Sequence, residues 1–424
     1  MSTSHVNPPP LWELEVAVIR IISERQAIPV DQIRPESRTL EDLHIDSMDM
    51  VELILELEEQ FAVSIPDDLG KRMFLRDPMT VAGLAEIVRH QWGTGIPPRR
   101  DWRGRPLPPV QGHAYPGTPF TQWDGCHDSL QKVRLDSASP TSGGHAQFRR
   151  STDGMRCVLL PEAEVELGSD AGAPDDEQPR HRARISAFLM DAEPVSVTAF
   201  ARFLNSVGAV ANPHAPRWFG VGPGDRRDAH VQIRQSPRRR WEVRTGTEHQ
   251  PMILVSWFGA AAYSLWAGGR DWAHYETESL LPTEAQWEYA ARGAAAREFP
   301  WGDAADVESR ARVGLHRHRR SYPDLLPLAP VQASLGMSPW DLHHMAGNVW
   351  HWCHDWYAPE FYRRPEASLA NPVQQTPTGI RSERGGSWVG PGALARCSYR
   401  RGRPPEAVGR CLGFRCALPA SFLA

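Results

Sequence analysis

The sequence predicts two domains of different class, an all-α N-terminal domain of four helices and an irregular α+β C-terminal domain, joined by a long linker. Three observations lead there. Through the first 92 residues apolar side chains recur at helical spacing. From Gly93 to about Arg150 that periodicity gives way to Pro, Gly and Ser, with Pro97-Pro98-Arg99-Arg100 and Leu107-Pro108-Pro109-Val110 as typical stretches. From about Met155 short strand-like runs, abundant tryptophan and Gly/Pro turns take over. The expected boundaries are therefore 8–92, 93–150 and 151–420, and 424 residues suffice for two or more separate cores.

Each element has a local reason. Leu11–Ile22 is the first helix and Val81–Val88 the last long one of the N-terminal domain. Between them, Met50, Leu53, Ile54, Leu57 and Phe61 form one apolar stripe, while Asp49, Glu52, Glu56 and Glu59 fall largely on other faces. Asp46 is a good N-cap for this helix and leaves Ser47 in its first turn. Ile65-Pro66-Asp67-Asp68 reads as the entry to a short third helix. Within the linker, Phe120 to Val133 suggests a local strand or docking segment. The C-terminal domain is expected to hold helices at Val197–Ser206, Trp257–Ala267 and Thr283–Arg292, the last capped by Thr283.

The net charge of -4 conceals an asymmetry. Residues 1–92 carry 17 acidic and 8 basic side chains, whereas the remainder carries 34 and 39. An acidic domain tethered to a mildly basic one favours docking of protein on protein and gives no argument for nucleic acid. No apolar run is long enough to span a bilayer and the N-terminus lacks a signal pattern, so no membrane partner and a cytoplasmic location are expected. The six cysteines include no Cys-x-x-Cys pair, which in a reducing compartment points to buried or idle thiols.

The run Asp42-Leu43-His44-Ile45-Asp46-Ser47-Met48-Asp49-Met50 and the acidic helix behind it resemble the prosthetic-group site of acyl and peptidyl carrier proteins, over about 80 residues with the helices in order. His44 stands where many carriers have glycine. The resemblance implies that Ser47 is the attachment site for 4'-phosphopantetheine. Its phosphodiester would lie near the positive end of the helix. The implied partners are a phosphopantetheinyl transferase, an acyl- or aminoacyl-loading enzyme and other assembly-line proteins. Acyl and peptidyl type remain open, with Ile45-Asp46-Ser47-Met48-Asp49 leaning towards acyl.

Eight further phrases appear in order over about 260 residues. They run from Glu177-Gln178-Pro179-Arg180-His181, Glu193-Pro194-Val195-Ser196-Val197 and Val255-Ser256-Trp257 to Leu281-Pro282-Thr283-Glu284-Ala285-Gln286-Trp287-Glu288 and Pro300-Trp301-Gly302-Asp303. Met345-Ala346-Gly347-Asn348-Val349-Trp350-His351-Trp352, Arg384-Gly385-Gly386-Ser387-Trp388 and Leu412-Gly413-Phe414-Arg415 complete the set. Together they resemble the sulfatase-modifying-factor family, whose best-known members are formylglycine-generating enzymes. The resemblance implies a C-type-lectin-like core in which most of these tryptophans are packing residues.

Activity is a separate matter, because function resides in the site and not in the fold. Formylglycine-generating members bind copper(I) through two cysteines shortly after the Gly-Gly-Ser phrase. Here Gly390 matches the first, and Cys397 lies near the second but seven residues on instead of five. One thiolate cannot supply the two-sulfur site. The sulfoxide-synthase branch needs an H-x3-H pair, which none of the 17 histidines forms. Where relatives hold calcium, His344 and His351 replace oxygen ligands, so calcium sites are expected to be degraded. These two imidazoles, with His343 and His354 nearby, suggest a transition-metal site for iron or copper, set against a loop held by packing alone. Family position also marks Ser387 and Trp350 as pocket residues, and Cys397 as a catalytic candidate set against a packed thiol. Arg384, Arg396, Arg400 and Arg401 either line an anion-binding groove or are solvated or paired.

Two function classes follow. The first is a metal-dependent, oxidoreductase-like enzyme that tailors a carrier-tethered acyl or aminoacyl intermediate in secondary-metabolite biosynthesis. The alternative is a non-catalytic, ligand- or partner-binding lectin-like domain that positions the carrier. A formylglycine-generating oxidase is disfavoured by the missing cysteine pair.

Overall fold

A computed structural model describes residues 8–26, 28, 30–39, 42–43, 50, 53–54, 57–58, 61, 63, 65, 79–92, 133–170, 172–208, 214–220, 231–236, 239–302, 306–315 and 328–423. The chain divides into two compact units: Met1–His113 with Arg320–Pro323, and Ala114–Arg319 with Asp324–Ala424.

In the first unit, α1 (Leu11–Gln26) packs on α2 (Val81–His90). The α2 N-terminus is closed by Thr80, whose side chain accepts from the Gly83 N–H. Leu14, Val18 and Ile22 of α1 meet Val81, Leu84 and Val88 of α2 in one apolar cluster, which also takes in Met50, Leu53 and Leu57. Those three are helical and buried, with Ile54 and Phe61 packed at the edge, so the apolar stripe read from the sequence is the stripe that faces the core. Asp46, Ser47 and Pro66–Asp68, where the entry to a short third helix is expected, lie outside the described residues.

The second unit is built on two main sheets. The first is five-stranded and antiparallel, in the order β1 (Leu135–Ala138), β2 (Gln147–Arg150), β3 (Arg156–Leu160), β6 (Phe188–Asp191) and β13 (Ala417–Pro419). Between β3 and β6 in sequence, β4 (Ala163–Leu167) and β5 (His181–Ile185) form a separate hairpin. A second hairpin joins β7 (Ile233–Gln235) to β8 (Trp241–Val243). The second main sheet has the order β11 (Arg401–Arg403), β10 (Arg381–Arg384), β9 (Trp350–Trp356) and β12 (Leu412–Gly413), with β12 parallel to β9. Strands β1 and β2 lie inside the stretch 93–150 that composition marks as linker, while Phe120–Lys132 falls outside the described residues.

Three helices pack against these sheets: α3 (Val197–Ser206), α4 (Trp257–Ala267) and α5 (Glu284–Arg292). Each is capped by a hydroxyl residue, Ser196, Ser256 and Thr283 respectively, and Thr283 forms a full capping box with Gln286. Tryptophan serves as mortar. Trp218, Trp257, Trp287, Trp350, Trp352 and Trp388 are fully buried. Trp257 and Trp352 donate their indole N–H groups to the carbonyls of Cys353 and Val255 at 2.8 and 3.0 Å. Arg381 lies between the rings of Trp257 and Trp356, 3.6 Å from each centroid.

Gly259, in the first turn of α4, shows how tightly these elements meet. A Cβ built there would lie 2.1 Å from the carbonyl oxygen of Trp218. Alanine ordinarily stabilises a helix relative to glycine, but here it forces the Trp218 segment away. Gly259→Ala is expected to destabilise the C-terminal unit by about 1–3 kcal/mol or more, read as a lowered denaturant midpoint at unchanged slope.

Candidate functional site in the second unit

The phrases singled out in the sequence converge where β9, β10 and α5 meet. Glu284 and Glu288 are spaced one helical turn apart on α5, with Arg292 one turn further on, so all three share a face. They point inward and are buried. Arg384, at the end of β10, bonds Glu288 at 2.6 Å and lies 3.4 Å from Glu284. Arg400 closes on Glu284 at 2.7 Å and Arg292 on Glu288 at 2.7 Å. Tyr362 and the Gly168 N–H complete the Glu288 coordination at 2.8 Å each. Burial alone would raise both carboxyls. The guanidinium groups of Arg400 and Arg384 around Glu284, and of Arg292 and Arg384 around Glu288, overcome it and hold both below the ordinary glutamate value.

The remaining arginines of the candidate anion groove are also committed to carboxylates. Arg396 holds Glu177, and Arg401 holds Glu383 together with Arg403. The groove reading of this set is therefore replaced by structural pairing.

From Arg384 the chain turns through Gly385 and Gly386, both at positive φ. A Cβ at Gly385 would lie 2.9 Å from the Trp287 ring, and one at Gly386 3.1 Å from backbone atoms of Leu394 and Ala395. Ser387 follows, buried, with its hydroxyl lacking a protein partner. The Gly347 N–H donates to the Gly385 carbonyl at 2.7 Å and the Trp388 N–H to the Asn348 carbonyl at 3.0 Å. These bonds lay the 347–350 segment beside the Gly-Gly-Ser turn. Trp350 opens β9 with its indole N–H unpaired, its ring against Tyr399 and the Arg401 guanidinium.

Cys397 is held from both sides by its backbone, its N–H donating to Glu298 at 2.8 Å and its carbonyl accepting from Arg384 at 2.9 Å. The thiol is completely buried in the main apolar cluster, which also contains Cys353, and burial pushes its pKa up to about 12. A thiol of that kind is protonated at neutral pH and is a poor nucleophile. With Gly390 at the other position, the donor set does not fit a copper site, and no step is derived through that metal.

The imidazoles fare likewise. His344 presents Nε2 to the Pro330 carbonyl at 3.0 Å, and a carbonyl only accepts. Nε2 therefore carries the hydrogen and Nδ1 is the bare lone pair. His351 receives the Trp287 indole N–H on Nδ1 at 3.2 Å, so its own hydrogen is on Nε2. Metal binding through His351 Nε2 would require moving that hydrogen to Nδ1, directly against the indole N–H. The pair does not fit a two-imidazole metal centre, and among the described residues no group of three or more His, Cys, Asp or Glu side chains could hold an ion. Asn348 is occupied too, exchanging two hydrogen bonds with the backbone of Ala329 at 3.0 and 3.1 Å.

With this geometry in place, comparison with known proteins identifies the lineage. Residues 144–420 match the sulfatase-modifying factor enzyme 1-like domain. The chain belongs to this family. Residues 16–69 match the phosphopantetheine attachment site domain, so a carrier-type domain precedes the sulfatase-modifying-factor domain. Formylglycine-generating enzyme of Streptomyces coelicolor is 32% identical over 322 residues, which is 67% of this chain and 95% of that protein. A serine/threonine-protein kinase, pkn1 of Chlamydia pneumoniae, is 32% identical over 61% of this chain but over only 37% of its own length. Among solved structures, PvdO from Pseudomonas aeruginosa superposes with a TM-score of 0.48 at 21% identity, over 64% of this chain and 97% of that one. No described helix is long and apolar enough to cross a membrane.

Sequence reading missed Glu284 and Glu288 as the centre of the domain, although their spacing with Arg292 was a usable signal. Ser47 lies outside the described residues. Glu288→Gln leaves Arg384 and Arg292 short of a buried anion and is expected to cost about 3–5 kcal/mol, measured by equilibrium denaturation.

Buried neutral histidines add an acid sensitivity. Burial lowers His344 to about 3 and His354 to about 4. A depressed folded pKa means that the unfolded chain takes up the proton first. Each group's contribution is therefore whole above its unfolded value and is lost as pH falls towards the folded one. His354 also exchanges a 2.8 Å hydrogen bond with Ser279, which glutamine can keep. His354→Gln should flatten the decline of unfolding free energy between about pH 6.5 and 4 by up to ~1.4 kcal/mol per pH unit, read from denaturant titrations across that range.

Proposed function

We propose that Ser47 carries a 4'-phosphopantetheine arm and that the sulfatase-modifying-factor domain binds a ligand or partner chain, positioning the carrier within an assembly line of secondary-metabolite biosynthesis. One observation carries this reading. The side chains that family analogy marks as reactive, Cys397, His344 and His351, are buried as a protonated thiol and two neutral imidazoles whose hydrogen bonds fix their tautomers. Coupling a carrier to a binding domain in one chain raises the local concentration of whatever the arm bears. The arm itself supplies a flexible tether ending in a thiol. A phosphopantetheinyl transferase installs it, and an acyl- or aminoacyl-loading enzyme charges it. Such a setting is cytoplasmic.

A second reading keeps the domain catalytic, as a tailoring enzyme acting on the tethered group. It draws support from the Trp350 indole N–H and the Ser387 hydroxyl, two buried donors without a protein partner. Formylglycine generation, which the name of the Streptomyces relative denotes, is not carried over, because Gly390 and the packed Cys397 do not reproduce a thiolate pair.

The carrier assignment is tested by co-expression with a broad-specificity phosphopantetheinyl transferase and intact-protein mass spectrometry. The native chain should gain the mass of one arm and Ser47→Ala should gain none. Modification of the variant to the same extent would remove Ser47 from the proposal.

A further inference from the structure

Three completely buried polar atoms lack any protein partner, His344 Nδ1, His351 Nε2 and Arg415 Nε, and the three side chains interact electrostatically. The backbone brings their residues together. His351 of β9 pairs with Gly413 of β12, two residues before Arg415. Arg415 in turn donates through its guanidinium to the carbonyl of His343, the neighbour of His344. The His344 loop returns to His351 through Gly347, whose N–H bonds Gly385, itself within 3.7 Å of the His351 ring at its Cβ position.

The hydrogen-bond partners already described fix what each atom offers. His344 Nδ1 is a bare acceptor because Nε2 donates to Pro330. His351 Nε2 is a donor because Nδ1 accepts from Trp287. Arg415 Nε is a donor, its terminal nitrogens being spent on the carbonyls of Asp191 and His343. Two donors and one acceptor remain, each costing about 1–3 kcal/mol if left unmade.

That set discriminates among ligands. A metal cation would face two N–H groups. An anion would face the lone pair of His344. A neutral molecule with two lone pairs and a hydrogen to give satisfies all three. We propose that a single buried water bridges His344, His351 and Arg415, and that the loop carrying Gly347 and Asn348 is pinned by this water with no metal ion. Buried waters typically make about three such bonds. The site is independent of the functional reading given above.

The test is nitrogen NMR of the full chain labelled at histidine, at neutral pH. Both rings should show a protonated Nε2 and a bare Nδ1, the His351 Nε2–H should cross-relax with a long-lived water, and added zinc(II) should leave both rings unmoved. A His351 ring protonated at Nδ1, a zinc-dependent shift or the lack of any water contact would overturn the proposal. A double-mutant cycle adds a second readout through the unfolding equilibrium of His344→Leu, His351→Leu and the pair. A shared water makes the double variant at least about two-fold more stable, as a folded-to-unfolded ratio, than the product of the single losses. Losses that simply multiply contradict it. If a variant fails to fold, the native spectrum decides alone.

Discussion

The C-terminal unit depends on one buried ion network, in which Glu284 and Glu288 of α5 are clamped by Arg384, Arg400 and Arg292. Placing five charges in an interior is costly unless each is paired and hydrogen-bonded. Here the cost is offset because the partners come from distant parts of the chain. Arg384 ends β10, Arg400 precedes β11, and Gly168 follows β4. No subset of these elements can satisfy the two carboxylates alone. The network therefore links α5, the second main sheet, the β4–β5 hairpin and the turn after Arg384 into one cooperative body. It also fixes Cys397, whose carbonyl accepts from the same Arg384.

What the network positions is a tightly packed interior. The Gly385-Gly386 turn approaches Trp287 and Ala395 so closely that no side chain fits, and Trp287 then sets the tautomer of His351 through its indole N–H. Residues that would be reactive in water are here held neutral, the thiol by desolvation and the imidazoles by desolvation together with the nearby Arg415 charge. A domain built this way is well suited to presenting a constant surface. Two of its buried unpartnered donors, Trp350 Nε1–H and the Ser387 hydroxyl, are the atoms from which a catalytic reading has to be argued.

Much of this was legible in the sequence. Helices Val197–Ser206 and Trp257–Ala267 have the limits expected from the sequence, and the structure adds that Ser196 and Ser256 cap them. Thr283 caps α5 with a Gln286 partner, again a local signal. The stripe from Met50 to Leu57 is apolar at helical spacing and lies in the core. The β1–β2 hairpin was not legible, because its exposed strand residues alternate weakly and are embedded in Pro- and Gly-rich sequence. At the site, sequence supplied the residues but not their states. Whether four arginines line a groove or bury carboxylates depends on partners more than 90 residues away for Arg384 and Arg400, beyond the reach of any local pattern. The sequence left the histidines open between metal ligands and a loop held by packing, because ligand chemistry is a property of residue type. Their actual roles follow from which ring nitrogen meets Pro330 or Trp287.

The central claim is that the C-terminal domain positions a carrier-borne group without transforming it. Its most direct test is to install acyl- and aminoacyl-pantetheine arms on Ser47 from coenzyme A analogues and to follow the mass of the tethered group by pantetheine ejection during incubation in air. The account predicts that every arm keeps its mass over the course of the experiment. A gain or loss of mass in the tethered group that disappears in Trp350→Phe with Ser387→Ala would contradict the account and establish the domain as a tailoring enzyme.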